Sequence, residues 1–189
     1  MSKRGLIKAG ATYDDLAAVA DNLVAEMFDG DLYASPRPGI PHAHAAFVLG
    51  IEIGNAFFRG RNGPGGWWIL SEPELHLGED VLVPDLAGWR RERLPAIPPD
   101  PYLTVVPDWI CEVLSPATER IDRGKKLRVY AREQVACVWL VNPLRETLEV
   151  LGLDVGGWKL AASYQGRATV RAEPFAAIDL ELGALWLPG

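Results

Sequence analysis

The apolar and polar positions along the chain divide it into alternating helical and strand-like stretches. Thr12 stands ahead of Tyr13, Asp14 and Asp15, an N-cap followed by first-turn acids, and this predicts a short helix ending near Ala20. "AEMFDGDLYAS" alternates on both sides of Asp29-Gly30, a two-residue hairpin signal, with Glu26 at the start of the hairpin. Pro41 opens a segment running to Phe58 whose broad apolar coverage predicts a helix packed on a sheet. "RGRNGPGG" then interrupts the chain. It lacks a Gly-Lys-Ser/Thr ending and reads as a turn, not a phosphate-cradling loop.

From Trp67 the pattern changes to "WWILSEPELHL", "VLVPDLAGW" and, beyond a proline-rich loop at 95–101, "DWICEVLS", which read as three successive strands. Residues 118–133 return to helical spacing, "ACVWLVNP" is a compact apolar strand, and "TLEVLGLDVGGWKLAASYQG" is a hairpin across Gly156-Gly157. Two strands joined through a helix must run parallel, so the expected fold is mixed α/β, a central mixed sheet flanked by helices in one domain over residues 1–189.

Two charges interrupt the apolar strands. Strand alternation places Val81, Val83 and Asp85 on one face, and Ile110, Glu112 and Leu114 on one face of the next strand. Adjacent carboxylates in register repel unless a proton or a cation lies between them, and a hard cation such as Mg2+ accepts one or two carboxylates plus waters. Asp122, Lys126 and Tyr130 recur every four residues on the following helix, beside a stripe of Leu127, Tyr130 and Ala131. Lys126 is therefore expected at the border of core and solvent, reaching towards the carboxylates.

Composition narrows the classes. A chain of 189 residues with 49% hydrophobic content buries a core without disulfides. A net charge of -6 excludes a generally basic nucleic-acid coat but not a local basic groove. Cys111 and Cys137 lie in apolar stretches and read as reduced thiols. The start "MSKRGLIKAGATYDD" has no apolar core of signal-peptide length, and no stretch suits a membrane span, so a cytoplasmic location is expected.

"VLVPDLAGW", "PDWICEVLSPATERIDRGKKLRVYA" and "VWLVNP", in that order, resemble the Uma-two family, a branch of the PD-(D/E)XK nuclease superfamily. "EMFDGDLYASPRP" with His42 resembles the family's N-terminal hairpin and following helix. The resemblance implies a restriction-endonuclease-like core and a homodimeric, metal-dependent endonuclease acting on DNA. It implies Asp85 and Glu112 as ligands of Mg2+ or Mn2+, the Val113 carbonyl as a further ligand, and Glu26 as a residue completing the site. The superfamily's lysine two positions after the glutamate is replaced by Leu114. Lys126 on the following helix is the expected substitute, with Lys125, about 100° away on the helix, second. Asn142, where an aspartate is usual, is expected to cap a turn. The missing lysine also supports a different class, a catalytically inactive relative serving as a nucleic-acid-binding or protein-interaction module.

Taken one at a time, these residues have ordinary explanations. Asp85 can cap a turn at Gly88, Glu112 can pair with Lys126 or Arg128, and Lys126 can pair with Asp122 across one helical turn. Glu26 reads as a surface hairpin residue and Tyr130 as core packing. His42 and His44 read as helix-capping or surface residues, Trp67 and Trp68 as sheet packing, and Arg90, Arg91 and Arg93 as a solvated loop.

Overall fold

A computed structural model describes residues 5–188; residues 1–4 and Gly189 lie outside the described residues. The chain opens with β1 (Gly5–Ala9), whose Leu6 and Ile7 remain exposed and which the sequence pattern does not announce. Helix α1 (Tyr13–Ala17) follows, closed by a reciprocal capping box between Thr12 and Asp15 and ending three residues earlier than expected. The hairpin of β2 (Leu23–Phe28) and β3 (Asp31–Pro36) turns at Asp29 and Gly30, both with positive φ, as its two-residue loop requires. Helix α2 (Ile40–Ile53) has Pro41 in its first turn and continues as a π-helical turn, Gly54–Phe58.

Two of the expected strands break in the middle. "WWILSEPELHL" divides into β4 (Trp67–Ser71) and β5 (Leu75–Leu77), with Glu72 in a left-handed conformation between them. "VLVPDLAGW" divides into β6 (Asp80–Leu82) and β7 (Leu86–Arg90). Val81, Val83 and Asp85 therefore do not share the face of one strand. Pro84 has no N–H to give a ladder, so the strand ends before it, and the Glu72 N–H donates instead to the Asp85 carbonyl at 3.0 Å.

After these crossings come β8 (Trp109–Val113), then α3 (Glu119–Ile121) and α4 (Leu127–Arg132), joined by a π-helical turn at Asp122–Lys126. The remaining strands are β9 (Cys137–Asn142), β10 (Thr147–Asp154), β11 (Gly157–Gln165), β12 (Thr169–Val170) and β13 (Leu180–Glu181). The β10–β11 hairpin turns at Val155-Gly156, one residue before the expected position.

Among the described residues the strands form a five-stranded sheet, β1-β3-β2-β6-β5, a six-stranded sheet, β11-β10-β9-β8-β7-β4, and a β12-β13 pair. β8 and β9 run parallel, joined through the α3–α4 crossover as the sequence pattern requires. The six-stranded sheet is thus mixed. One face packs Trp109, Cys111, Val113, Trp139 and Val141 against Ala45, Leu49 and Ile53 of α2 and against the C-terminal segment. The other packs Ile110, Leu114, Val138 and Leu140 against Leu127 and Tyr130 of α4 and against Phe28 and Leu82 of the smaller sheet. Trp67 is sheet packing, edge-on to Phe175, which also meets Trp109 and Trp139.

The "RGRNGPGG" turn is locked to the end of α2. Gly65 N–H donates to the Ala56 carbonyl at 3.0 Å, and a Cβ at Gly63 would meet Ala56 Cβ at 2.6 Å and its carbonyl oxygen at 2.8 Å. Backbone stands in the way, so a side chain cannot be accommodated by a rotamer change. Gly63→Ala is expected to lower stability by about 1–3 kcal/mol in urea denaturation, the usual cost of overpacking.

Candidate active site

A cleft of about 440 Å³ opens where α2 begins, where β6 hands over to β7, and where β8 ends. Asp85, Glu112, Val113, Asp122 and Lys126 line it, together with His42. Of the residues expected at the site, Asp85, Glu112, Val113 and Lys126 are thus brought to one place from three separate stretches of chain. Glu26 lies behind them, fully buried and not part of the lining.

Asp85 reaches the site because the strand breaks. Released from a ladder at Pro84, it turns its side chain to the neighbouring strand, where Oδ2 accepts the Val113 N–H at 2.7 Å. A strand residue presents its N–H and C=O towards the same neighbour, so the Val113 carbonyl faces the side on which Asp85 lies. Glu112 sits on β8 with Cys111 and Val113 on the opposite face, which directs its carboxylate towards α4.

Lys126 is buried to 2% exposure, deeper than the core-solvent border expected of it. Its Nζ lies 2.6 Å from Glu112 Oε1, 3.0 Å from Glu26 Oε1 and 3.8 Å from Asp122 Oδ1. Asp122, Lys126 and Tyr130 do share a buried face, although a π-helical turn carries the first two. Such insertions recur at functional sites. Lys125 is directed elsewhere, to the Tyr33 hydroxyl, so Lys126 is the lysine at the cleft.

Glu26 corrects the surface reading. Its position in the hairpin suggests exposure, but β2 is an interior strand of the smaller sheet and Glu26 faces the larger one. Besides Lys126 it accepts the Val83 N–H at 3.0 Å, which satisfies the backbone at the strand break two residues before Asp85. Tyr130 is in the core, as read, and its hydroxyl also donates to Glu112 Oε1. Asn142 caps its turn by accepting the N–H groups of Leu144 and Arg145.

His42 is the residue the sequence reading placed wrongly. It is buried at 8% exposure, with Nε2 3.2 Å from Asp85 Oδ2. A signal for this was present: His42, Ala45, Leu49 and Ile53 follow helical spacing along one face of α2, and all four are buried. His44, two residues on and about 200° round the helix, meets the Ala184 carbonyl instead. Arg91 is likewise no free loop residue; it lies over the Trp68 ring at 4.3 Å and donates to the Phe58 carbonyl.

Burial pushes the Glu112 carboxyl up to about 7, against the opposing pull of Lys126; the charges of Asp122 and Asp85 add to the rise. Burial and the adjacent Glu112 carboxylate raise the Tyr130 hydroxyl well above its ordinary value. Glu72, Asp85, Glu112 and Asp122 line the cleft with Glu26 behind them, against Lys126 and Arg37, so acids outnumber cations, the setting in which a further cation is favourable.

The donor set suits a hard divalent cation. Among the described residues, hydrogen bonds and nearest ion-pair contacts to Asp85 fall on Oδ2 and those to Glu112 on Oε1, so the second oxygen of each is the one that would meet a cation. Among the described residues no three His, Cys, Asp or Glu side chains form a ready-made cage. Mg2+ does not need one, since it keeps several waters and takes one or two carboxylates.

Fold and cleft together define the class, a nuclease-type α/β fold with its acids gathered at the end of a mixed sheet. The family model Uma2, described as "Putative restriction endonuclease", matches residues 11–184, and the chain belongs to that family. A solved structure from Anabaena variabilis ATCC 29413, described as a "putative nuclease belonging to DUF820", is similar over 93% of this chain and 97% of its own, with a TM-score of 0.72 at 19% identity. At that identity the likeness establishes the fold. No curated protein matches the chain.

Two outcomes test the electrostatics. Glu112 binds its proton more tightly folded than unfolded, so its contribution to stability is present below about pH 4.5 and is lost as pH rises through about 7. Urea denaturation in EDTA should show stability falling over that window, and Glu112→Gln should flatten the fall. Lys126→Met leaves buried carboxylates without their counter-charge and should cost about 3–5 kcal/mol near pH 8, with a smaller loss near pH 5 where Glu112 is protonated.

Proposed function

We propose that this chain is a divalent-cation-dependent endonuclease that hydrolyses phosphodiester bonds in DNA. The observation that carries the reading is the meeting of Asp85, Glu112 and Lys126 in one cleft, with Lys126 Nζ 2.6 Å from Glu112. Asp85, Glu112 and the Val113 carbonyl are the groups that would hold Mg2+ or Mn2+. Such a cation, when bound, lowers the pKa of a coordinated water and offsets charge building on the phosphate.

The chain's own side chains supply position and charge. An ammonium has three N–H donors; Glu26 and Glu112 take two, and Asp122 at 3.8 Å lies beyond hydrogen-bond reach. The third would meet a phosphate oxygen or the attacking water. Lys126 is the catalytic lysine on this reading, and Glu26, which touches Lys126 but does not line the cleft, is a positioning residue. Leu114, at the usual lysine position, is buried at 1% exposure and supports the second reading, an inactive nuclease-fold relative that binds nucleic acid or protein. The homodimer implied by family resemblance belongs to the same proposal and is checked by light scattering.

Cleavage of supercoiled plasmid and of oligonucleotides with Mg2+ or Mn2+ separates the readings. Activity is expected to disappear in EDTA and to fall at least about 100-fold, some 2.7 kcal/mol of barrier, in Asp85→Ala and in Glu112→Ala. Cleavage that survives both substitutions removes the site assignment. DNA binding without any cleavage favours the second reading.

A further inference from the structure

We infer that His42 is a positioning residue for the proposed cation site, fixing the Asp85 carboxylate through an Nε2–H hydrogen bond so that the opposite oxygen faces the cleft. The inference rests on the proposed function above, because it gives Asp85 the role of ligand.

The protonation pattern follows from what surrounds the ring. Nε2 lies 3.2 Å from Asp85 Oδ2, and an ionised carboxylate offers only lone pairs, so Nε2 must carry a proton for the contact to be attractive. Nδ1 is sealed from solvent and has no hydrogen-bond partner among the described residues. A proton moved to Nδ1 would leave a buried donor unpaired and set the Nε2 lone pair against the carboxylate. The surroundings therefore select the Nε2–H form.

Two donors then meet on one oxygen. The Val113 N–H approaches Oδ2 from β8 at 2.7 Å, and His42 approaches it from α2. The last torsion of an aspartate is broad, so a single hydrogen bond leaves the carboxylate free to swing. Donors from two fixed elements define its plane and direct Oδ1 to the cleft, which both Asp85 and His42 line. His42 is itself held, as the first member of the buried face that continues through Ala45, Leu49 and Ile53. Groups that hydrogen-bond a ligating carboxylate in this way typically contribute about 10–100-fold to metal affinity.

The test is Mn2+ binding to the full-length chain without DNA, followed by electron paramagnetic resonance of the free ion, in the native protein, Asp85→Ala, His42→Leu and His42→Gln. Leucine fills the space without a donor, whereas glutamine restores an N–H at similar reach. His42→Leu should weaken binding about 10–100-fold while His42→Gln stays near the native value. If native protein binds Mn2+, Asp85→Ala abolishes it and His42→Leu does not change it, the inference is overturned and the metal site stands. Equal weakening in both His42 variants also overturns it, since the side chain would then matter for shape alone. Native protein that binds no Mn2+ overturns the metal site and this inference together. Should His42→Leu fail to fold, ¹⁵N NMR of the native imidazole decides: the Nε2–H form is expected, and the Nδ1–H form overturns the proposal.

Discussion

The ammonium of Lys126 is held out of water between carboxylates from two different sheets. Glu26 belongs to β2 of the smaller sheet, Glu112 to β8 of the larger one, and Lys126 to the helical crossover between β8 and β9. Charges this deeply buried are costly unless each finds its partner in good geometry. The smaller sheet, the larger sheet and the crossover therefore cannot slide past one another without exposing an uncompensated charge. Apolar packing of Phe28 and Leu82 against Ile110 and Tyr130 supplies the attraction between these layers, while the ion cluster selects their alignment.

The same cluster reaches Asp85 through the backbone. Glu26 accepts the Val83 N–H as well as Lys126, so the carboxylate that neutralises the lysine also holds the strand break. Pro84 ends one ladder, and Asp85 opens the next segment with its side chain turned to β8. A matching break at Glu72, whose N–H meets the Asp85 carbonyl, lets the two segments pass between the sheets side by side, β4 to β5 from the larger sheet to the smaller and β6 to β7 back again. A continuous strand would have left Asp85 on a flat sheet face. The break places it at the sheet's end, beside α2 and the end of β8.

Local chemistry made much of this legible in advance. The Asp29-Gly30 hairpin, the parallel pair around the crossover and the four-residue spacing of Asp122, Lys126 and Tyr130 follow from turn geometry and periodicity, which act over a few residues. Sheet membership does not. An apolar run such as "VLVPDLAGW" looks the same whether it stays in one sheet or passes between two, and only the proline marked the place. Glu26 and His42 were misread for a related reason: their depth depends on what packs over β2 and on the direction of the first turn of α2. The buried spacing of His42 with Ala45, Leu49 and Ile53 was visible, but a polar residue at the end of an apolar face is a cap in most settings. Its meaning depended on Asp85 standing opposite.

On the proposed reading, Lys126 supplies from the crossover the ammonium that the superfamily pattern would place at position 114, beside the same carboxylate. A lysine at position 114 would share the strand face of Glu112, close enough to reach the cleft. Here Leu114 fills that position as part of the core between the sheets, next to the ring of Tyr130 and the side chains of the smaller sheet. The crossover carries the amine instead, fourteen residues after Glu112 (126 − 112) where the strand pattern has two. Lys126 reaches the cleft through the core, and Glu26 gives its buried ammonium a second counter-charge besides Glu112. Glu26 and Lys126 are thereby coupled, since removing either leaves the other's charge buried without its partner.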